Sequence, residues 1–145
     1  MLGATNLKGQ HMLNENAPNT AIQTALEKFT AGDPAMFDYL APNINFAIEH
    51  YGEADADISW QRATNKEDLA GLVGRLGTEV FPQGTKPLAL NTVRLGNGWH
   101  LTRFEQEFFY GVRDCMVQST TYVMSHEQDG LVDYFRETVT TVDTI

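Results

Sequence analysis

The sequence predicts an α+β domain, a cone-shaped curved antiparallel sheet covered by three N-terminal helices. Apolar residues recur at helical spacing in the first half of the chain, and the second half alternates in strand-like runs between tight turns. A chain of 145 residues with 42% hydrophobic and 20% charged residues suits one globular domain. We expect that domain to be residues 18–145, after a flexible arm, residues 1–17, that is rich in Asn and Gly and shows no period.

Two helices are expected before the first strand. The first has apolar residues at helical spacing, with Pro18 able to begin it and Gly32 able to end it. Asp33 then has the pattern of an N-cap for a second, short helix, which Pro42 should stop. The chain therefore begins its ordered part with helical structure.

The third helix has the strongest signal in the sequence. Thr64 and Glu67 have the spacing of a capping box, and an apolar stripe follows them up to Pro82. Three glycines lie within this stripe at three-residue spacing: Gly71, Gly74 and Gly77. No strand precedes them as a dinucleotide-binding loop would require, so they indicate close helix packing.

Strand patterns fill the rest of the chain. A short β-branched and aromatic run covers residues 45–51, and longer alternating runs cover residues 88–95, 99–112, 115–126 and 131–142. The turns GNG at 96–98 and QDG at 128–130 join the long strands as hairpins. Long antiparallel strands of this kind form a bent sheet, and the helices should close its open side as a lid.

Composition excludes several classes of partner and cofactor. Ten Lys and Arg against nineteen Asp and Glu give a net charge of -9, which repels nucleic acid and anionic membrane surfaces. Cys115 is the single cysteine, so neither an internal disulfide nor a thiolate zinc site can form. The four histidines show no metal-ligand spacing. We therefore expect a cytoplasmic protein with no metal and no cofactor, and no secretory or membrane segment.

The order of elements resembles the nuclear-transport-factor-two-like superfamily. The motifs that carry the resemblance are Ala31-Gly32-Asp33 after the first helix, the strand end at residues 48–52, and Asp129-Gly130 leading into residues 132–137. Within the superfamily the chain is most similar to SnoaL-like polyketide cyclases and ketosteroid isomerases. The resemblance covers residues 18–145, and it implies the cone fold and a cofactor-free site for proton transfer.

The resemblance also implies catalytic positions. The carboxylate base of the isomerases corresponds to Glu49, at the end of the first strand. The protonated aspartate that donates to the enolate oxygen corresponds to Tyr122, whose phenol can donate a comparable hydrogen bond. The second donor corresponds to Ala25, which has none, so steroid isomerisation itself is not expected.

Strand alternation does not decide which of two residues is the catalytic base. Either Phe46, Ile48 and His50 point into the cone, or Ala47, Glu49 and Tyr51 do. In the first register His50 replaces Glu49 at the pocket and can act as a general base or a proton shuttle. The sequence therefore predicts Glu49 or His50 as the base, with Tyr122 as the donor.

The long strands are expected to supply the ligand-binding wall. The apolar row of residues 99–112 should face the cavity, and Arg103, Glu105 and Glu107 on the other row should form exposed ion pairs. The alternative interpretation of this charged row is an arginine–carboxylate catalytic set like that of the limonene epoxide hydrolases. The predicted ligand-binding residues are Trp60, His100, Gln106, Phe108, Tyr110 and Gln118.

Both rows of the strand at residues 115–126 are mixed, so its orientation stays open. The row that contains Met116, Tyr122 and Met124 suits an adaptable apolar pocket, and the row with Val117 and Val123 suits a dimer interface. The reverse assignment fits the pattern nearly as well. We take the first assignment as the expectation.

Together these patterns predict a protein that binds a small hydrophobic or carbonyl compound in its cone cavity and acts as an isomerase or cyclase by proton transfer. The alternative is a non-catalytic ligand-binding or dimerisation module whose cavity is plugged by its own aromatic residues, such as Trp60, Phe104 and Phe108. In both readings the protein is expected to form a homodimer through the open face of its sheet.

Overall fold

A computed structural model of the chain describes residues 16–52 and 58–145. It contains a six-stranded sheet in the order β2-β1-β6-β5-β4-β3. The strands are β1 (Leu40–His50), β2 (Arg62–Ala63), β3 (Lys86–Gly96), β4 (Trp99–Tyr110), β5 (Cys115–Gln128) and β6 (Leu131–Thr144). Every neighbouring pair is antiparallel except β1 and β6, which run parallel. The α+β class is confirmed, and the four long strands form the predicted meander.

The helices pack on one face of this sheet. They are α1 (Ala21–Thr30), a 3₁₀ helix (Pro34–Tyr39), and α2 (Lys66–Arg75), which continues as one π-helical segment (Leu76–Val80). Because β1 and β2 lie between the 3₁₀ helix and α2, the helices do not all precede the sheet, and the expectation of three N-terminal helices needs this correction. None of the helices in the two described ranges is long and apolar enough to span a membrane.

Helix ends follow capping chemistry, with small differences from the predicted positions. Thr20, not Pro18, precedes α1, and its Oγ1 accepts a hydrogen bond from the backbone N–H of Gln23 at 3.2 Å. Asp33 caps the 3₁₀ helix as predicted, through a 2.9 Å bond from the N–H of Ala35. Pro42 does not stop that helix, because the chain is already extended in β1 at that point.

The predicted capping box of α2 is displaced by one residue. Asn65, not Thr64, is the N-cap, and its Oδ1 accepts a 2.7 Å bond from the N–H of Asp68. Thr64 with Glu67 has the residue types and spacing of a capping box, and the neighbouring Asn65 is an equally favourable N-cap residue. Sequence spacing alone therefore could not choose between them.

The sheet is distorted from regular pairing where it bends around the core. Register shifts interrupt the β1–β6, β3–β4 and β5–β6 pairs, and irregularities of this kind bend and twist the strands that carry them. The β5–β6 turn has positive φ at Asp129 (55°) and Gly130 (78°), as a tight two-residue hairpin requires. The long strands therefore form a concave face toward the helices.

Burial identifies which row of each long strand faces inward. On β4 the inner residues are buried, as predicted: His100, Thr102, Phe104, Gln106, Phe108 and Tyr110. On β5 the expected orientation is wrong, because Val117, Ser119 and Thr121 point inward while Met116, Tyr122 and Met124 are exposed. These smaller β5 side chains lie beside Phe108, Gln106 and Phe104 of β4, which leaves room on the concave face.

The start of the described chain packs against the edge of the sheet. The Oδ1 atom of Asn16 accepts a 2.8 Å hydrogen bond from the N–H of Thr92, and the N–H of Ala17 donates to the carbonyl of Thr92 at 2.6 Å. Ala17 is buried. The rest of the predicted arm, residues 1–15, and the acidic segment, residues 53–57, lie outside the described residues.

Candidate functional site

A cavity of about 80 Å³ lies between the concave face of the sheet and the helices. Its lining is mainly aliphatic and aromatic, with contributions from α1, the 3₁₀ helix, α2 and five of the strands or their flanking residues. The polar residues of the lining are Gln61, Gln106, Ser119, Thr121 and Glu137. An apolar cavity with a few converging polar groups is the typical form of a small-molecule site.

Glu137 is the one carboxylate among the described residues that line this cavity. It lies on β6 between the inward-facing Phe135 and Val139 and is only 9% exposed. Its cross-strand neighbours are Ile48 on β1 and Val123 on β5. A buried carboxylate in a mainly apolar cavity is an environment in which enzymes place general acids and bases.

The sequence contained a signal for Glu137 that the family resemblance obscured. In that resemblance, residues 132–137 were one of the motifs that indicate the fold, and no catalytic role was implied for them. The alternation Phe135, Glu137, Val139 places all three on one face of a strand, and two of them are apolar enough to require burial. Their inward orientation therefore carries the carboxylate into the core.

Two amide side chains contribute hydrogen-bonding groups to the cavity. The Oε1 atom of Gln106 accepts a 2.8 Å hydrogen bond from the Oγ1 hydroxyl of Thr85. The Oε1 atom of Gln61 lies 3.0 Å from Nε2 of His50, which donates to it when that nitrogen carries the proton. In both amides the oxygen is engaged by the protein, so the NH₂ group is the donor that can serve a ligand.

The structure places the predicted catalytic residues on different faces of the sheet. Glu49 points away from the cavity, and its Oε1 lies 3.4 Å from Nη2 of Arg62 and 4.0 Å from Nε of Arg136. Tyr122 is also on the outer face and is 40% exposed. His50 lies on the inner-facing row of β1 and is half-buried.

Glu49 and Tyr122 nevertheless belong to one row across the sheet. Glu49 pairs with Thr138 on β6, and Thr138 pairs with Tyr122 on β5. Two strand spacings separate them, which is roughly 10 Å between backbones. Both side chains therefore lie on the outer surface, away from the cavity between the sheet and the helices.

The predicted ligand-binding residues divide into three groups. Gln106 and Phe108 line the cavity. His100 and Tyr110 are buried on the same face of β4 but lie outside the lining. The third group lies elsewhere. Trp60 stacks against Arg75, whose Cζ atom is 4.0 Å from the centroid of the Trp60 ring, and Gln118 lies on the outer row of β5.

His100 occupies a structural position near the start of α1. Its Nδ1 lies 3.8 Å from Oε1 of Glu127, and the same oxygen accepts a hydrogen bond from the N–H of Ala21 at 3.1 Å. Burial lowers the pKa of His100 below its usual 6.5, and the Glu127 carboxylate partly opposes this effect. His100 is therefore held in its neutral form within the folded protein near neutral pH.

The lowered pKa of His100 predicts a loss of stability in mild acid. Below about pH 6.5 the unfolded chain binds the imidazole proton more readily than the folded chain, so the free energy of unfolding falls with pH until the folded-state pKa is passed. In His100→Gln this contribution is absent. Urea unfolding at pH 7.5, 6.0 and 5.0 should show the stability difference between wild type and variant narrowing as pH falls. A difference that stays constant with pH contradicts this expectation.

The described residues contain no group of three or more His, Cys, Asp or Glu side chains close enough to hold a metal ion. No protein-family model matches the chain, and no curated protein matches it significantly. Comparison with solved structures, in contrast, gives many matches.

A nuclear-transport-factor-two-like protein from Anabaena variabilis matches with a TM-score of 0.66 and 13% identity, over 90% of this chain and 96% of that one. A candidate polyketide cyclase from Xanthomonas campestris gives a TM-score of 0.63 and 14% identity, over 81% and 86% of the two chains. An LEH-like epoxide hydrolase of M. tuberculosis gives a TM-score of 0.56 and 16% identity, over 82% of this chain and 79% of that one. The chain therefore has the nuclear-transport-factor-two-like fold.

Proposed function

We propose that the protein is a cofactor-independent isomerase or cyclase of the SnoaL-like type, in which Glu137 takes a proton from the carbon next to a carbonyl group. The observation that carries the proposal is the buried carboxylate in a cavity whose walls are otherwise mainly apolar. This assignment moves the base from Glu49, which is half exposed and paired with two arginines, to Glu137 on the inner face.

Proton transfer from carbon needs a base held close to the ligand and a surrounding that excludes water. Phe135 and Val139 flank Glu137 on its strand, and Phe46 stacks on Phe135 with ring centroids 4.5 Å apart. Such walls bind the carbon skeleton of a ligand and limit the side chain to few positions. A positioned carboxylate of this kind contributes to catalysis as a general base, and it can return the proton to another carbon as a general acid.

The negative charge that develops on the carbonyl oxygen needs a hydrogen-bond donor. Gln106 and Ser119 are direct cross-strand partners on β4 and β5, and Thr121 follows Ser119 on the same face. The NH₂ group of Gln106 and the hydroxyl of Ser119 are donors fixed in the sheet before the ligand arrives, whereas the hydroxyl of Thr121 donates to the carbonyl of Phe104 at 3.3 Å. Donors preorganised in this way stabilise an enolate better than mobile water. We assign them the role that the sequence gave to Tyr122.

His50 has a positioning role in this scheme. Its Nε2 lies 3.0 Å from Oε1 of Gln61, the amide that lines the cavity beside β1. The backbone N–H of Ile48 also donates to the carbonyl of Gln61 at 2.9 Å, so the segment before β2 is held to β1 at two points. These contacts orient the Gln61 amide toward a ligand.

Solved structures with this fold support the proposal, since they include a candidate polyketide cyclase. The epoxide hydrolase with the same fold shows that the fold admits other reactions. In this chain, Arg103 and Glu105 form a 2.9 Å ion pair on the outer face, away from the cavity. Their position gives no support to an arginine–carboxylate mechanism in the cone.

A non-catalytic ligand-binding module is the second candidate function. A cavity of about 80 Å³ is small compared with the roughly 300 to 1,000 Å³ of sites for drug-sized ligands. Phe81 and Phe108 contact each other at its edge, with ring centroids 4.5 Å apart. Residues of this kind can fill a cavity without any chemistry, so the decisive measurement is turnover.

We also propose a cytoplasmic homodimer formed through the outer face of the sheet. Trp99, Met116, Tyr122 and Met124 are exposed there, with the Arg103–Glu105 ion pair among them. Large exposed apolar side chains bordered by charges are typical of protein–protein contacts. The partner that we propose is a second copy of the chain, which presents the same face.

Filling the cavity tests whether it is the ligand site. Ser119→Leu places a larger apolar side chain on the cavity wall, whereas Gln118→Leu introduces the same side chain at the neighbouring position on the outer face. Binding of a small ketone such as 2-butanone, measured by ligand-observed NMR, should weaken at least tenfold in Ser119→Leu. The affinity of Gln118→Leu should stay within about twofold of wild type. Equal weakening in both variants, or none in either, contradicts the cavity as the binding site.

A further inference from the structure

A second space lies directly outside the cavity. It is an open groove of about 400 Å³ between the end of α1, the 3₁₀ helix and α2. Its residues are small or apolar over most of its length, and its polar side chains are Thr30, Asp33 and Thr85. Asp33 is already engaged with the N–H of Ala35 and with Lys28.

The groove and the cavity share one layer of side chains. Phe29, Met36, Val73 and Phe81 line both spaces, so a single layer of four side chains separates them. A polar link also crosses this boundary, because Thr85 of the groove donates its 2.8 Å hydrogen bond to Gln106 of the cavity. The two spaces are therefore adjacent, with this layer between them.

Phe81 is one of the residues of this layer. It follows the π-helical segment Leu76–Val80 and has an irregular backbone conformation, with φ −116° and ψ 54°. Its ring touches Phe29 edge-on at 5.5 Å and Phe108 at 4.5 Å between centroids. Aromatic contacts of this kind are weak individually, and π-helical segments occur often at functional sites. Phe81 therefore bridges the boundary, in contact with Phe29 of both spaces and with Phe108 of the cavity.

The glycines of α2 and of the π-helical segment after it explain why the groove is open. The sequence indicated that Gly71, Gly74 and Gly77 allow close helix packing, and this interpretation is wrong: a Cβ added at any of them meets no described atom within 4 Å. Glycine within a helix lowers its stability, and among the described residues no packing contact at these positions compensates for that loss. Gly74 and Gly77 instead form part of the groove lining, where side chains would occupy its volume.

We infer that the groove is the outer subsite of the cavity, and that the ligand is an elongated molecule with a carbonyl end at Glu137 and an apolar chain that passes Phe81 into the groove. This inference rests on the proposed function for the position of the carbonyl end. The cavity alone holds a group of only a few heavy atoms, whereas the groove adds about 400 Å³ along the same path. The residues shared by both spaces are apolar, which matches a hydrocarbon chain rather than a charged one.

A series of methyl ketones from 2-butanone to 2-nonanone tests this inference. In wild type the dissociation constant should keep falling with chain length, by up to about fourfold for each methylene group that is buried. Gly74→Leu narrows the groove, and Gly71→Leu adds the same side chain to the same helix outside the groove lining. Both sites have open space for a side chain, and leucine favours the helix, so both variants should fold.

The expected result is selective for long ligands. Gly74→Leu should bind 2-nonanone at least tenfold more weakly than wild type and 2-butanone unchanged, while Gly71→Leu follows wild type for every ketone. Three outcomes overturn the inference. Wild-type affinity does not grow with ketone chain length, the three proteins show the same dependence of affinity on chain length, or no ketone binds. If the length effect is lost only in Gly74→Leu but wild type exchanges no ketone proton, the outer subsite stands and the proton-transfer function fails.

Discussion

Replacing Glu137 with glutamine should lower the rate of proton transfer by a factor of about 10² to 10⁴, the contribution typical of a positioned general base. The amide has nearly the same shape as the carboxylate, but it cannot accept the proton. Ligand affinity should stay within a few-fold of wild type, because the apolar walls of the cavity are unchanged. The loss should therefore appear in kcat and not in binding.

The measurement is deuterium exchange at the carbon next to the carbonyl of a small ketone in D₂O, followed by ¹H NMR. Glu49→Gln and Tyr122→Phe are the matched controls, since both residues lie on the outer face and should leave the exchange rate within about twofold of wild type. A loss of exchange in Glu49→Gln with normal exchange in Glu137→Gln would return the base to the position that the family resemblance implied. Equal exchange in wild type and Glu137→Gln would favour the non-catalytic alternative.

The contrast between Glu49 and Glu137 shows how far sequence reasoning reaches in this fold. The register of β1 follows from hydrophobic competition, because Phe46 and Ile48 take the interior and leave Glu49 outside. That outcome was one of the two that alternation allowed. Alignment with the motifs of the ketosteroid isomerases favoured Glu49. Such an alignment assigns a role by sequence position and does not test which face of the strand the side chain occupies.

Strand β5 shows why the rest of the cavity wall was not predictable. Its rows mix Met116 and Tyr122 on one side with Val117 and Ser119 on the other, and neither row is clearly more apolar. In the structure the row with the smaller side chains faces inward, where Ser119 lies beside Gln106 and Thr121 lies beside Phe104 of β4. Which side chains of two neighbouring strands lie side by side depends on how the strands pair. The residue pattern of one strand does not give this pairing register, so it cannot show whether the side-chain volumes fit.

The glycine spacing in α2 has a similar limit. Gly71, Gly74 and Gly77 repeat every three residues, and such a stripe fits both a helix that packs closely and a helix that borders an empty groove. The difference lies in what stands opposite the stripe. That information comes from the placement of the 3₁₀ helix and the end of α1, which is tertiary structure.

Gly111→Ala should destabilise the fold by about 3 kcal/mol, at the upper end of what overpacking usually costs. Gly111 lies after β4, and its N–H donates a 3.1 Å hydrogen bond to the carbonyl of Val80 at the end of the π-helical segment. A Cβ at this position would overlap the carbonyl oxygen of Glu79 and lie 3.2 Å from Cδ of Pro82. The obstacle is backbone, so the two segments would have to separate.

The separation would also move Phe81, which follows Val80 directly and forms part of the layer between cavity and groove. Urea unfolding at pH 7.5 measures the change, with Gly71→Ala as the control in the same protein. Because Gly71 lies on an exposed helix surface with open space around it, alanine there should raise stability by about 0.5 to 1 kcal/mol. If Gly111→Ala matches wild type within about 0.5 kcal/mol, the contact between the π-helical segment and the β4–β5 turn is looser than the structure indicates.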